Sequence, residues 1–266
     1  MRRAELATSF EEWRGYAAQV LAGEDEYLKR ENVIFLAEKF VKFDKANVFL
    51  ADDETKELAR RLADALERLN AVEPFNLAFP VWGGQVYTIL GEKFDREYFK
   101  DAERLLLTAR QMAPNKQEVI FLLGRLYLLQ KDFSKAIAAH RQAVDLDDKI
   151  NQSHWFLGLA YVAAGERAIG LEEIEKARGM WYLDRDKMLY IFDLYALEKN
   201  YPKLIEEYKK LVEVSPANID WYVRLAMAQA LNGDKQDALD TARYAVGMFP
   251  PLKAEADKFI KEYQLE

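Results

Sequence analysis

Two histidines, His140 and His154, are the side chains of this chain best suited to proton transfer or metal binding. Neither has a partner at the spacing of a metal set or a catalytic triad, and both fall at offsets that large packing side chains occupy, so both read as structural. The run Asp145-Leu146-Asp147-Asp148 could suggest a cation site, but it lacks the glycine and distal glutamate of a calcium loop. It reads as a solvated helix end. Glu172-Glu173 and Glu206-Glu207 are expected to be outward carboxylates. Gly83-Gly84 has no phosphate-loop sequence around it, and none of the four serines lies in a nucleophile elbow. The expectation is therefore no catalytic residue, no cofactor and no metal.

Composition narrows the classes further. Half of the residues are hydrophobic and 13% are aromatic, which is too apolar for a disordered chain. The absence of cysteine excludes disulfides, thiolate metal sites and a cysteine nucleophile. No apolar run reaches the length of a membrane span, and the N-terminal Met-Arg-Arg-Ala-Glu-Leu does not read as a secretory signal. The formal net charge of −7 argues against a nucleic-acid binder, which needs a basic face. A cytoplasmic location is the default expectation.

The elements that must position these residues recur at a fixed spacing. One pattern starts at Gln117 and returns every 34 residues, at Asn151, Arg185 and Ile219. Each copy places Leu123-Gly124, Leu157-Gly158, Ile191-Phe192 or Leu225-Ala226 first. Tyr127, Tyr161, Tyr195 or Gln229 comes three residues later. Ala136 and Ala143, Gly170 and Ala177, Leu204 and Leu211, and Ala238 and Ala245 follow after a turn. Such a period specifies helix–turn–helix units that bury their apolar faces only by stacking. The small residues mark helix crossings. Upstream, Gly84, Tyr87, Gly91, Phe99, Ala102, Ala109 and Pro114 repeat the order. The intervening turn, residues 92–98, is about six residues longer than in the other copies. It is mostly charged and expected to stand out from the surface.

This pattern resembles the tetratricopeptide repeat. Tyr127, Asp132-Phe133 and Ala143, then Gly158, Tyr161, Gly165 and Ala177, carry the resemblance. It implies an all-α, right-handed solenoid of antiparallel helix pairs. Five repeats are expected at 77–116, 117–150, 151–184, 185–218 and 219–252. In that family the first helix of each repeat lines a concave groove. Carried over, the groove positions are Glu118, Phe121, Arg125 and Leu128; Trp155, Leu159 and Val162; Leu189, Asp193 and Leu197; and Met227. Phe, Arg, Trp, Leu and Asp at these offsets do not match the lysine and asparagine clamp by which some members hold a peptide carboxylate.

Residues 1–76 read as three helices, near 4–21, 26–43 and 52–73. Gly23 and an acidic run separate the first two, and Leu6 and Tyr27 lie on their apolar stripes. The second and third helices resemble a degenerate repeat, and the first is expected to cap it. Residues 253–266 are expected to form a C-terminal capping helix.

A looser resemblance links the order of the N-terminal helices, the turn 91–98 and the run 153–165 to the soluble tails of bacterial O-antigen-ligase-like membrane proteins. It implies a detached tail without the ligase chemistry, associated with a membrane only through a partner. The function expected is a non-enzymatic scaffold that binds a peptide or helix of a protein partner in an apolar groove, without nucleic acid or membrane insertion. The alternative is a small-ligand-binding protein or enzyme with a site around Arg125 and Asp193.

Overall fold

The computed structural model describes residues 2–22, 30–48 and 50–265, with side chains from Ser9 onward in the first helix. The break at residues 23–26, Tyr27 and the side chain of Leu6 lie outside the described residues. Fourteen α-helices and no strand occur among the described residues. They are α1 Arg2–Ala22, α2 Arg30–Lys45, α3 Asp53–Val72, α4 Ala78–Lys93, α5 Phe99–Met112, α6 Gln117–Gln130 and α7 Phe133–Leu146. Then come α8 Asn151–Ala163, α9 Arg167–Lys176, α10 Arg185–Leu197, α11 Tyr201–Val214, α12 Ile219–Asn232, α13 Lys235–Met248 and α14 Lys253–Glu262. The fold is an all-α helical repeat of antiparallel pairs. Two compact units divide it, Met1–Glu166 and Arg167–Glu266.

The 34-residue period is written into the backbone as well as the core. Lys131, Gly165, Lys199 and Gly233 all adopt the left-handed conformation, with φ of 64°, 89°, 54° and 91°. Each stands in the turn between the two helices of a pair. Behind each, the next residue donates its N–H to a carbonyl five residues back: Asp132 to Tyr127, Glu166 to Tyr161, Asn200 to Tyr195 and Asp234 to Gln229, at 2.8–2.9 Å. This double-bonded helix end satisfies carbonyls the helix leaves open. The following helix is then started by a side-chain cap at Asp132, which accepts from Lys135 N, and at Asn200, which accepts from Lys203 N.

The turn 92–98 departs from expectation. Arg96–Tyr98 forms a 3₁₀ turn, Tyr98 stacks on Tyr87 with ring centroids 6.0 Å apart, and Arg96 donates to the carbonyl of Leu129 at 2.9 Å. The acidic side chains face solvent, but two of the extra residues hold the loop down. Gly91 sits against the ring of Phe99, where a Cβ would collide.

The helix expected to run through Ala177 ends early. α9 stops at Lys176, and a 3₁₀ turn spans Arg178–Met180. The cause is Trp181, which is fully buried and donates its indole N–H to the carbonyl of Ile174 at 3.0 Å. The N–H of Ala177 takes the same carbonyl, so the last turn tightens. Ala177 remains buried, as a packing position requires.

In the first unit, α1 delivers Phe10 and Trp13 onto Phe40 and Phe43 of α2, and Trp13 donates to the carbonyl of Leu36 at 3.1 Å. In the second, Phe259 and Ile260 of α14 and Tyr263 just after it pack on Ala238, Leu239 and Leu265.

Candidate docking face

The tyrosines of the repeat tie each first helix to the pair before it. Tyr87 donates to Asp64 of α3 at 3.2 Å, Tyr127 sits beside Glu103 of α5, Tyr161 accepts from Arg141 of α7, and Tyr195 donates to Glu175 of α9. Burial, and then the neighbouring carboxylates, raise the phenol pKa of Tyr87 and Tyr195 well above its usual value. These hydroxyls remain protonated and serve packing. Gln229, at the fifth position of the series, is also buried.

Within the first unit, the groove positions separate by what they touch. Phe121 packs against Phe156, centroids 5.3 Å apart, and is half-buried. Arg125 pairs with Glu92 at 3.1 Å and Asp44 at 3.6 Å. Lys93 joins the same group, 3.6 Å from Asp44 and 3.4 Å from Glu92. These four charges come from α2, α4 and α6. The Asp44 carboxylate is nearly enclosed, a role the sequence did not reveal. Leu128, Leu159 and Val162 are half-buried and Glu118 is exposed. Trp155 is only 7% exposed, so its side chain is packed within α8's surroundings and is not an accessible anchor.

In the second unit the corresponding face is more open. Leu197 is 64% exposed and Met227 46%, and Val223 and Leu231 extend the stripe of Met227 along α12. Leu189 is half-buried, and Asp193 is exposed. A cavity of about 220 Å³ opens beside Met227, walled by α12, α13 and α14.

The histidines sit in packing slots. His140 is 1% exposed, lies over Phe156 with ring centroids 5.5 Å apart, and has no hydrogen-bond partner on either nitrogen. Burial lowers its pKa to about 4, so the ring is neutral near pH 7. Nε2 of His154 lies 2.8 Å from the carbonyl oxygen of Asp148. Among the described residues no three His, Asp or Glu side chains gather as a metal set.

Glu207 corrects the expectation of an outward carboxylate. It is fully buried on α11, bonded to Arg178, to Lys210 at 3.0 Å and near Lys203 at 3.5 Å. Burial raises its pKa, but the hydrogen bonds from Arg178 and Lys210 outweigh that and hold it below the usual value. Arg178 also lies over the rings of Trp181 and Tyr182. The broken helix and the buried carboxylate are therefore one feature. The other three members of the two acidic pairs, Glu172, Glu173 and Glu206, are exposed or half-buried.

No helix among the described residues is long and apolar enough to cross a membrane. No curated protein matches the chain in sequence. Residues 92–149 match the family model of the tetratricopeptide repeat. Among solved structures, the fold is similar to that of YrrB, described as a tetratricopeptide repeat protein with an unusual peptide-binding site. That match has TM-score 0.52 and 13% identity, covering 75% of this chain and 99% of that one. It is also similar to a tetratricopeptide repeat protein of Thermus thermophilus, with TM-score 0.50 and 18% identity over 73% and 98% of the two chains. The C-terminal part of a repeat-containing protein from Cytophaga hutchinsonii gives TM-score 0.57 and 16% identity, covering 87% of each chain. Residues 92–149 thus carry a tetratricopeptide repeat, and the chain has the all-α helical-repeat fold of tetratricopeptide repeat proteins.

Proposed function

We propose that this protein is a non-enzymatic scaffold that docks a peptide or helix of a protein partner on the first helices of its repeats. The observation that carries this reading is the exposed apolar stripe Val223–Met227–Leu231 of α12, with Leu197 exposed at the matching position of α10. A helix face of this kind left in water marks a place for a partner. The peptide-binding site reported for YrrB agrees with the class of partner. The contact positions are Glu118, Phe121, Arg125, Leu128, Leu159 and Val162 in the first unit, and Leu189, Asp193, Leu197 and Met227 in the second. Trp155, at the offset of Phe121 on α8, is buried.

The alternative of a small-ligand or catalytic site around Arg125 gains no support, because Arg125 is already paired with Glu92 and Asp44. A tie to O-antigen-ligase-like proteins rests on the order of the N-terminal helices, the turn 91–98 and the run 153–165, and much of that run is core packing of α8.

The test is capture by the purified chain against a Leu197→Glu, Met227→Glu double variant. Both positions are exposed, so the helical circular dichroism should not change. Proteins retained by the wild type and lost by the variant support docking here. Retention of the same set by both places the site elsewhere.

A further inference from the structure

Docking alone does not say what kind of segment the face takes. The cavity beside Met227 is lined by Val223 and Met227 of α12, Ala242 of α13, Leu252 before α14, and Phe259 of α14, and its one charged lining residue is Glu255. At about 220 Å³ it exceeds the roughly 150 Å³ that holds a benzene ring in an apolar interior. It therefore has room for one large apolar side chain. Glu255 sits on its rim, and Asp220 stands one turn before the lining residue Val223 on α12; both are exposed, and Arg224, the cation beside Val223, is engaged by the Tyr208 hydroxyl. On α10, Asp193 occupies the offset that Met227 occupies on α12.

These three carboxylates make no ion pair among the described residues. By contrast, Glu173, Glu175, Glu206 and Glu207 of α9 and α11 are each matched with lysine or arginine. The lysines of α14, Lys253, Lys258 and Lys261, lie outside the stripe Leu252–Glu255–Ala256–Phe259 that faces the cavity. Unmatched acidic groups around an apolar socket favour a partner of opposite charge and repel one of like charge.

Resting on the docking reading, we infer that the α12–α14 face takes a cationic amphipathic segment. Its large apolar side chain enters the cavity, and a lysine or arginine one turn away meets Glu255 and Asp220.

The test uses the full chain and two fluorescent amphipathic helical peptides about five turns long, one of leucine and lysine, the other of leucine and glutamate. Binding is read by anisotropy at physiological salt. The leucine–lysine peptide is expected to bind at least about tenfold more tightly. A scrambled version lacking an apolar face should lose that binding. Glu255→Lys with Asp220→Lys, and separately Met227→Lys, should each weaken it about fivefold or more, with circular dichroism unchanged. Equal binding of both peptides, lost on Met227→Lys, would overturn the charge preference and leave docking standing. Leucine–lysine binding that ignores all of these variants would be non-specific and overturn the inference. A Met227-dependent dimer in sedimentation, with no peptide bound, would assign the face to a second copy and also overturn it. If neither peptide binds at all, the cationic-segment inference fails, while docking is decided by the capture experiment.

Discussion

Gly124 of α6 lies directly against the imidazole of His140 on α7, and a Cβ at position 124 would come within 2.2 Å of the ring. The contact explains both residues. The glycine lets the helices approach, and the ring fills the space between α6, α7 and Phe156 of α8. Gly124→Ala should therefore destabilise the protein by about 1–3 kcal/mol through overpacking, against at most about 1 kcal/mol gained from helix propensity. Chemical denaturation measures the difference. Unchanged stability would mean that the ring can move aside freely.

His140 also makes stability depend on pH. Its folded pKa is about 4, against about 6.5 unfolded. Below pH 6.5 the unfolded chain takes up a proton that the folded chain refuses. Stability contributed by the neutral ring is thus complete above the unfolded pKa and is lost as pH falls from 6.5 to 4. The full loss is about 3 kcal/mol. His140→Phe should flatten the denaturation free energy over that window. An equally steep curve in the variant would assign the dependence to other groups.

The four left-handed turns give opposite outcomes at equivalent positions. Lys131 and Lys199 hold a conformation that glycine adopts without steric cost, whereas Gly165 and Gly233 already meet it. Lys131→Gly and Lys199→Gly should leave stability unchanged or raise it by up to ~1 kcal/mol, and Gly165→Ala and Gly233→Ala should lower it by about 1–2 kcal/mol. Melting temperatures of the four single variants give the comparison. The same sign at all four positions would contradict the shared turn geometry.

Glu207→Ala should cost about 1–3 kcal/mol, because it removes charge-assisted hydrogen bonds to Arg178 and Lys210 and empties a buried position, while those two cations stay partly exposed. Glu172→Ala, on an exposed position of α9, should cost less than about 0.5 kcal/mol. Since hydrogen bonds hold the Glu207 pKa below its unfolded value, its contribution is present above the unfolded pKa and disappears as pH falls through the folded one. Urea titrations of both variants at neutral pH decide the point. Equal effects would mean that Glu207 is not enclosed.

The helical repeat was legible because it is written locally. Spacing located the tyrosines, the small crossing residues and the turn positions, and the observed helices start within about a residue of the 34-residue register at 117, 151, 185 and 219. What the sequence concealed depends on distant partners. The burial of Glu207 follows from Arg178, 29 residues earlier, and from the indole that ends α9. Nothing near Glu207 distinguishes it from Glu206. Likewise, Trp155 looked like a groove residue from its offset, but its burial is set by neighbouring helices. The loop 92–98 looked solvated by charge count, yet Tyr98 and Arg96 fasten it. Arg178 followed by Gly179 and Trp181 was the available sign that the ninth helix would break.

The docking claim is tested most directly by placing a photo-crosslinking amino acid at Met227, at Leu197 and, as a control on an exposed second-helix position, at Glu172. Met227 and Leu197 are expected to crosslink the same partner protein in cells, and Glu172 is not. Crosslinks to that protein from Glu172 alone, or equal yields from all three positions, would contradict it.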